Sequence, residues 1–147
     1  MHVTRTAATV AILVAAMAFN AVICGAADGV DTSAGAMRAY HIGNSLTFGA
    51  FSYGDTVKLF EQRGAPYIRG WHILWGSPLS RIWQNPESNN VPIAPFGGFS
   101  NALNAFDWDI LTLQPYASVI TGDNGDLKHC SNFIEMARRR NPNIQIF

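Results

Sequence analysis

Ala39-Tyr40-His41-Ile42-Gly43-Asn44-Ser45-Leu46-Thr47 is the stretch on which the reading of this chain turns. Met37 to Ile42 reads as a short strand, Gly43 interrupts it, and a helical segment begins a few residues later. Ser45 then falls on a tight turn between strand and helix. In open α/β sheets such turns line the crevice beyond the carboxyl ends of the strands, where ligands bind. A serine placed there can offer its hydroxyl and its backbone N–H to a bound carbonyl, beside the anion-favouring end of a helix. Gly43 allows a sharper backbone turn than a side chain would tolerate. Taken alone, the stretch also fits a plain helix-capping turn rich in Ser, Thr and Asn.

The rest of the chain supplies the context. Phe51 to Gly64 carries Val57, Phe60 and Arg63 at helical spacing, with Gly64 as C-cap ahead of Pro66. Tyr67 to Leu74 reads as a strand that ends in the turn Trp75-Gly76-Ser77-Pro78. Leu79 to Trp83 fits a helical turn capped by Ser77, with Pro78 at its first position. Asn85 to Pro95 is a polar, proline-bearing loop, either functional or loose. Phe99 to Phe106 reads as a short helix and Asp109 to Gln114 as a strand stopped by Pro115. Asp126 to Arg140 is the clearest helix, with an expected apolar stripe of Leu127, Cys130, Phe133, Ile134 and Ala137. Its Arg138-Arg139-Arg140 run suits a helix C-terminus. Asn143 to Phe147 begins another apolar strand.

Strands alternating with helices predict an α/β fold, a three-layer flavodoxin-like parallel sheet of about four strands. Right-handed crossovers would bring every strand's carboxyl end to one rim. Ser45, Gly76 and Gln114 each lie at or just after such an end.

Composition narrows the partners. Met1 to Ala27 has a basic start at Arg5, an apolar run from Ala7 to Ile23 and the small-residue cluster Cys24-Gly25-Ala26-Ala27, the pattern of a secretory signal peptide. A retained N-terminal anchor is the alternative, although Asn20 interrupts a run that is short for a span. Ile23 before Cys24 argues against lipidation. The expected protein is secreted or periplasmic, with no stable membrane association once the leader is cleaved. Residues 28–36 read as a linker and 37–147 as the folded domain, about 120 residues being left after the leader. Ten Lys/Arg against ten Asp/Glu give no electrostatic case for nucleic acid as a partner. Cys130 is the lone cysteine beyond the leader, so no internal disulfide is expected there. His41, His72, His129 and Cys130 show no zinc-type spacing, and neither a metal nor a cofactor is expected.

Attack of Ser45 on an ester carbonyl would generate an oxyanion in need of donors, and the Ser45 N–H, the Gly76 N–H and the Gln114 side-chain amide could supply them. With these residues the chain resembles the SGNH (GDSL-like) hydrolases, exported esterases and lipases with a flavodoxin-like sheet. His41-Ile42-Gly43-Asn44-Ser45-Leu46-Thr47 is similar to the family's first block, with Asn44 where aspartate is commonest. Gly76 falls where the second block's glycine would stand, and Leu113-Gln114-Pro115 is similar to the third, Gln114 replacing asparagine. The resemblance covers residues 37–147 and implies a serine esterase acting on acyl or acetyl esters, small molecules or glycans, with Ser45 as nucleophile. The family's base comes from an Asp-x-x-His block after the fifth strand, and no such block is expected here, as in a partial domain of weak activity. Asp126-Leu127-Lys128-His129 has the spacing but sits in a helix after the third strand, and reads as an exposed face. His72 near the second strand's end could reach the crevice but reads rather as a core or rim histidine, and His41 reads as structural. Trp71, Trp75, Trp83 and Tyr116 gather near the rim, where aromatic faces suit sugars, though burial should claim at least half of them. A non-catalytic exported α/β domain that binds a small polar ligand in the same crevice is the rival reading.

Overall fold

In a computed structural model, residues 35–52, 54–93, 95–116 and 119–147 are described. The leader and all but the end of the 28–36 linker lie outside them. Strands β1 (Met37–Gly43), β2 (Tyr67–Ile73), β3 (Ile110–Leu113) and β4 (Gln145–Ile146) form one sheet in the order β2-β1-β3-β4. Every pairing is parallel, as the alternation with helices predicts. The helices are α1 (Ser45–Phe51), α2 (Asp55–Gln62), α3 (Leu79–Gln84), α4 (Phe99–Ala105) and α5 (Asp126–Arg140). The chain winds from β1 out to β2, then back across β1 to β3, which is the flavodoxin-like order of a three-layer α/β fold. Among the described residues no helix is long and apolar enough to cross a membrane.

Alternation along β1 divides two unlike interiors. Tyr40 and Ile42 face the main core, built with Leu79 and Ile82 of α3, Phe99, Ala102 and Leu103 of α4, and Phe133 and Ala137 of α5. Trp108 closes this core, its ring 5.0 Å from that of Tyr40 and its indole N–H donating to Ala102 O at 2.9 Å. On the opposite face, α1 and α2 cover His41 and Tyr67: Phe51 stacks on His41 at 3.9 Å and Phe60 on Tyr67 at 4.4 Å. At the amino edge of the sheet, Asp109 accepts from the Arg38 backbone N–H and from its guanidinium at 3.2 and 3.0 Å, joining β1 to β3. Each partner stabilises the other's charge, so the Asp109 carboxyl is held below, and the Arg38 guanidinium above, its ordinary pKa.

Two local expectations are corrected. Helix α5 keeps its predicted bounds, but its buried stripe is Asp126, His129, Phe133 and Ala137, while Leu127 is 57 % exposed. Phe133 and Ala137 are buried and Cys130 packs against the core as the apolar periodicity predicts, but at the start of the helix two polar side chains enter in place of Leu127. Helix α3 starts after Pro78 rather than being capped by Ser77. The Ser77 hydroxyl instead donates to Trp75 O at 3.1 Å, and the Leu79 N–H is taken by the Asp126 carboxylate at 3.0 Å.

Candidate functional site

The last two residues of β1 tie the rim together. Ile42 O accepts from the Gln114 N–H at 2.9 Å, and Gly43 O accepts from the Leu74 N–H at 3.0 Å. Because β1 is central, the turns that follow β1, β2 and β3 meet at one end of the sheet. They carry Ser45, Gly76 and Gln114 respectively.

Ser45 is exposed at the first position of α1. The preceding Asn44 is fully buried and caps the helix, its Oδ1 accepting from the Leu46 N–H at 3.0 Å. That bond fixes the direction of the turn. An aspartate would cap equally well; asparagine adds an Nδ2 that is buried without a partner. Gly43 is required by proximity rather than by dihedral freedom. A Cβ there would stand 2.1 Å from Thr47 Oγ1 and 2.7 Å from Gln114 Cβ. The first turn of α1 and the Gln114 side chain therefore close over a bare backbone. Gly43→Ala is expected to lower stability by about 1–3 kcal/mol through overpacking, read as a drop in the denaturant midpoint; an unchanged midpoint would contradict this close approach.

Gly76 sits at φ +57°, left-handed backbone that favours glycine, in a turn closed by the Ser77 N–H on Leu74 O at 3.3 Å. Among the described residues, the N–H groups of Ser45 and Gly76 enter no hydrogen bond, and both residues are exposed. The Gln114 amide is engaged at home, its Nε2 donating to Pro115 O at 2.9 Å. That nitrogen carries two hydrogens, so one remains for a further acceptor.

Asn89 and Asn90, in the polar loop after α3, hold the second turn. Asn89 Oδ1 accepts from the Ile73 N–H at 2.9 Å and its Nδ2 donates to Trp71 O at 3.0 Å, so one amide imitates a neighbouring strand at the edge of β2. Asn90 donates its N–H to Ile73 O and accepts the Trp75 N–H on Oδ1, both at 2.8 Å. The Asn-Asn pair was the available signal, since these side chains bond backbone outside regular structure. Their partners lie too far along the sequence to be read from it.

No described histidine hydrogen-bonds to Ser45. His41 lies beneath α1 with Nδ1 on Thr112 Oγ1 at 2.8 Å and Nε2 on Tyr67 Oη at 2.9 Å, in accordance with its structural reading. Burial first, then the nearby Arg69 charge, lowers its pKa to about 4. His72 does not face the crevice. It is fully buried against Phe99, and its Nδ1 accepts from the Phe99 N–H at 3.0 Å, which leaves the proton of the neutral ring on Nε2. Burial lowers its pKa to about 4, with the Ser88 backbone opposing the shift. His129 is buried beside Trp83, its two ring nitrogens without partners, rather than standing on an exposed face.

The aromatic residues divide evenly. Trp71 and Trp83 pack inside, Trp83 stacking on Phe99 at 5.5 Å, while Trp75 and Tyr116 remain exposed on the turns that bear Gly76 and Gln114. Comparison with protein-family models, curated proteins and solved structures found no match to this chain.

Proposed function

We propose that the carboxyl rim is an ester-hydrolysing site of SGNH type in an exported protein. Ser45 is the nucleophile, and the N–H groups of Ser45 and Gly76 with the Gln114 amide are the oxyanion donors. The observation that carries this reading is the pair of uncommitted N–H groups, at Ser45 and Gly76, on turns that β1 fastens to one end of the sheet. Substrate carbonyl oxygen would settle among these donors, and charge developing on it in the tetrahedral state strengthens each bond. Trp75 and Tyr116 flank the donors and fit the apolar face of a sugar, which favours acyl or acetyl groups on glycans. Gln114→Ala is expected to lower kcat for p-nitrophenyl acetate by about 10²–10³ with a much smaller change in KM. Equal kcat values for the two proteins would remove Gln114 from the site.

A second reading has one observation in its favour. With no described histidine bonded to Ser45, the same crevice suits a non-catalytic domain that holds a small polar ligand. A fluorophosphonate probe separates the two, because covalent capture needs a reactive hydroxyl and ligand binding does not.

A further inference from the structure

We propose that Asp126 is a positioning residue that locks the Gly76 turn and the Gln114 segment in one fixed relation. This rests on the oxyanion reading above, in which donors from separate loops must face the same point. The two oxygens of its buried carboxylate go to different loops: Oδ1 accepts from the Leu79 N–H at 3.0 Å and Oδ2 from the Tyr116 N–H at 3.3 Å. Leu79 follows Gly76 by a short buried connection in which the Ser77 hydroxyl is turned back onto Trp75 O. Tyr116 follows Gln114 across Pro115, and the Gln114 N–H is itself fixed to Ile42 O. A planar carboxylate sets the angle between its two acceptors, so the two loops are referred to one rigid group. Asp126 is in turn anchored, its own N–H donating to Val119 O at 3.0 Å and that of Leu127 to Ile120 O at 3.1 Å. Charge-assisted bonds to backbone N–H groups hold direction better than neutral ones. A buried carboxylate is otherwise costly, and an apolar residue would fill the same space with less penalty. The burial of Asp126 in place of Leu127 at the start of α5 therefore serves the rim rather than the core.

Asp126→Asn is the test, because it keeps the shape but turns one acceptor into a donor facing an N–H. In the full chain, labelled with ¹⁵N, the β1 amide resonances should persist while those of Gly76 and Gln114 both move. Exchange at the Leu79 and Tyr116 amides should rise about tenfold or more. Hydrolysis of p-nitrophenyl acetate should lose about tenfold or more in kcat, with KM within about twofold. A folded variant with Gly76 and Gln114 unmoved, or with both moved and kcat retained, would overturn the proposal. Should Asp126→Asn fail to fold, Tyr116→Pro removes one donor and leaves Asp126 in place. Displacement of Gly76 across the carboxylate then supports the coupling, and a change confined to residues near Gln114 refutes it. If the unaltered protein neither hydrolyses ester nor takes the fluorophosphonate, the esterase reading fails by itself. The joint movement of Gly76 and Gln114 still decides the coupling in that case.

Discussion

Ser45→Ala is expected to abolish covalent labelling by a fluorophosphonate, while the slow hydrolysis owed to the backbone and Gln114 donors persists. The probe phosphonylates a hydroxyl oxygen, and Ser45 presents its own at the exposed start of α1, where Asn44 fixes the turn. Ser77 provides an internal contrast, because it is fully buried and its Oγ is committed to Trp75 O. Peptide mass spectrometry of the labelled protein should place the adduct on Ser45, and an adduct that survives Ser45→Ala would end the nucleophile assignment. The unaltered protein should still be slow. A serine hydroxyl is a weak nucleophile without a base, and His41, His72 and His129 are all buried away from it. Donors and binding alone leave an acceleration on the order of 10³ over water when a catalytic base is missing.

The second large effect is acid instability between pH 6.5 and 4. His41 and His72 have folded-state pKa values lowered to about 4 from 6.5, so the unfolded chain takes up protons first as the pH falls. Neither group costs stability above the unfolded value. Below it, each removes about 1.4 kcal/mol per pH unit until its folded pKa is reached, roughly 3 kcal/mol apiece. Together, at about 6 kcal/mol, they match the low end of a domain's stability, about 5–15 kcal/mol. The Asp109 carboxyl, lowered by Arg38, acts in a separate window, because stability tied to a depressed carboxyl is lost only below about pH 4. Thermal unfolding followed from pH 8 to 4 should show a flat Tm at high pH and a steep fall beneath about 6.5. Asn at position 41 or 72 should flatten that slope, whatever it does to Tm at neutral pH. A Tm constant from pH 7 to 4.5 would show that both rings titrate normally in the folded protein.

The legible parts of this molecule were those governed by local periodicity and turn chemistry. Met37 to Ile42 was legible as the first strand, and the alternation of elements as a parallel sheet with a shared rim, although Ser45 opens α1 itself rather than standing on a turn ahead of it. Misreadings arose where distant groups override local preference. Apolar periodicity assigned Leu127 to the core of α5, yet Asp126 takes that side because two backbone donors on other segments wait for it. Ser77 has the composition of an N-cap, but the same carboxylate already occupies the end of α3. His72 is no misreading: its core reading holds, the ring being buried against Phe99. The part played by Asn89 and Asn90 depends on bonds to β2 that span some sixteen to eighteen positions.

The unequal fates of the tryptophans give the molecule a built-in optical reporter. Trp71 and Trp108 are buried and Trp83 is partly so, whereas Trp75 is 43 % exposed and adjoins Gly76, with the Phe48 ring edge-on at 5.4 Å. Solvent relaxation around an exposed indole shifts its emission to longer wavelength, and a charged quencher such as iodide reaches it ahead of its enclosed neighbours. The quenchable, red-edge part of the fluorescence therefore originates mainly beside the proposed donors. Occupancy of the crevice can be followed by the light of a single side chain, with no label attached and no turnover required.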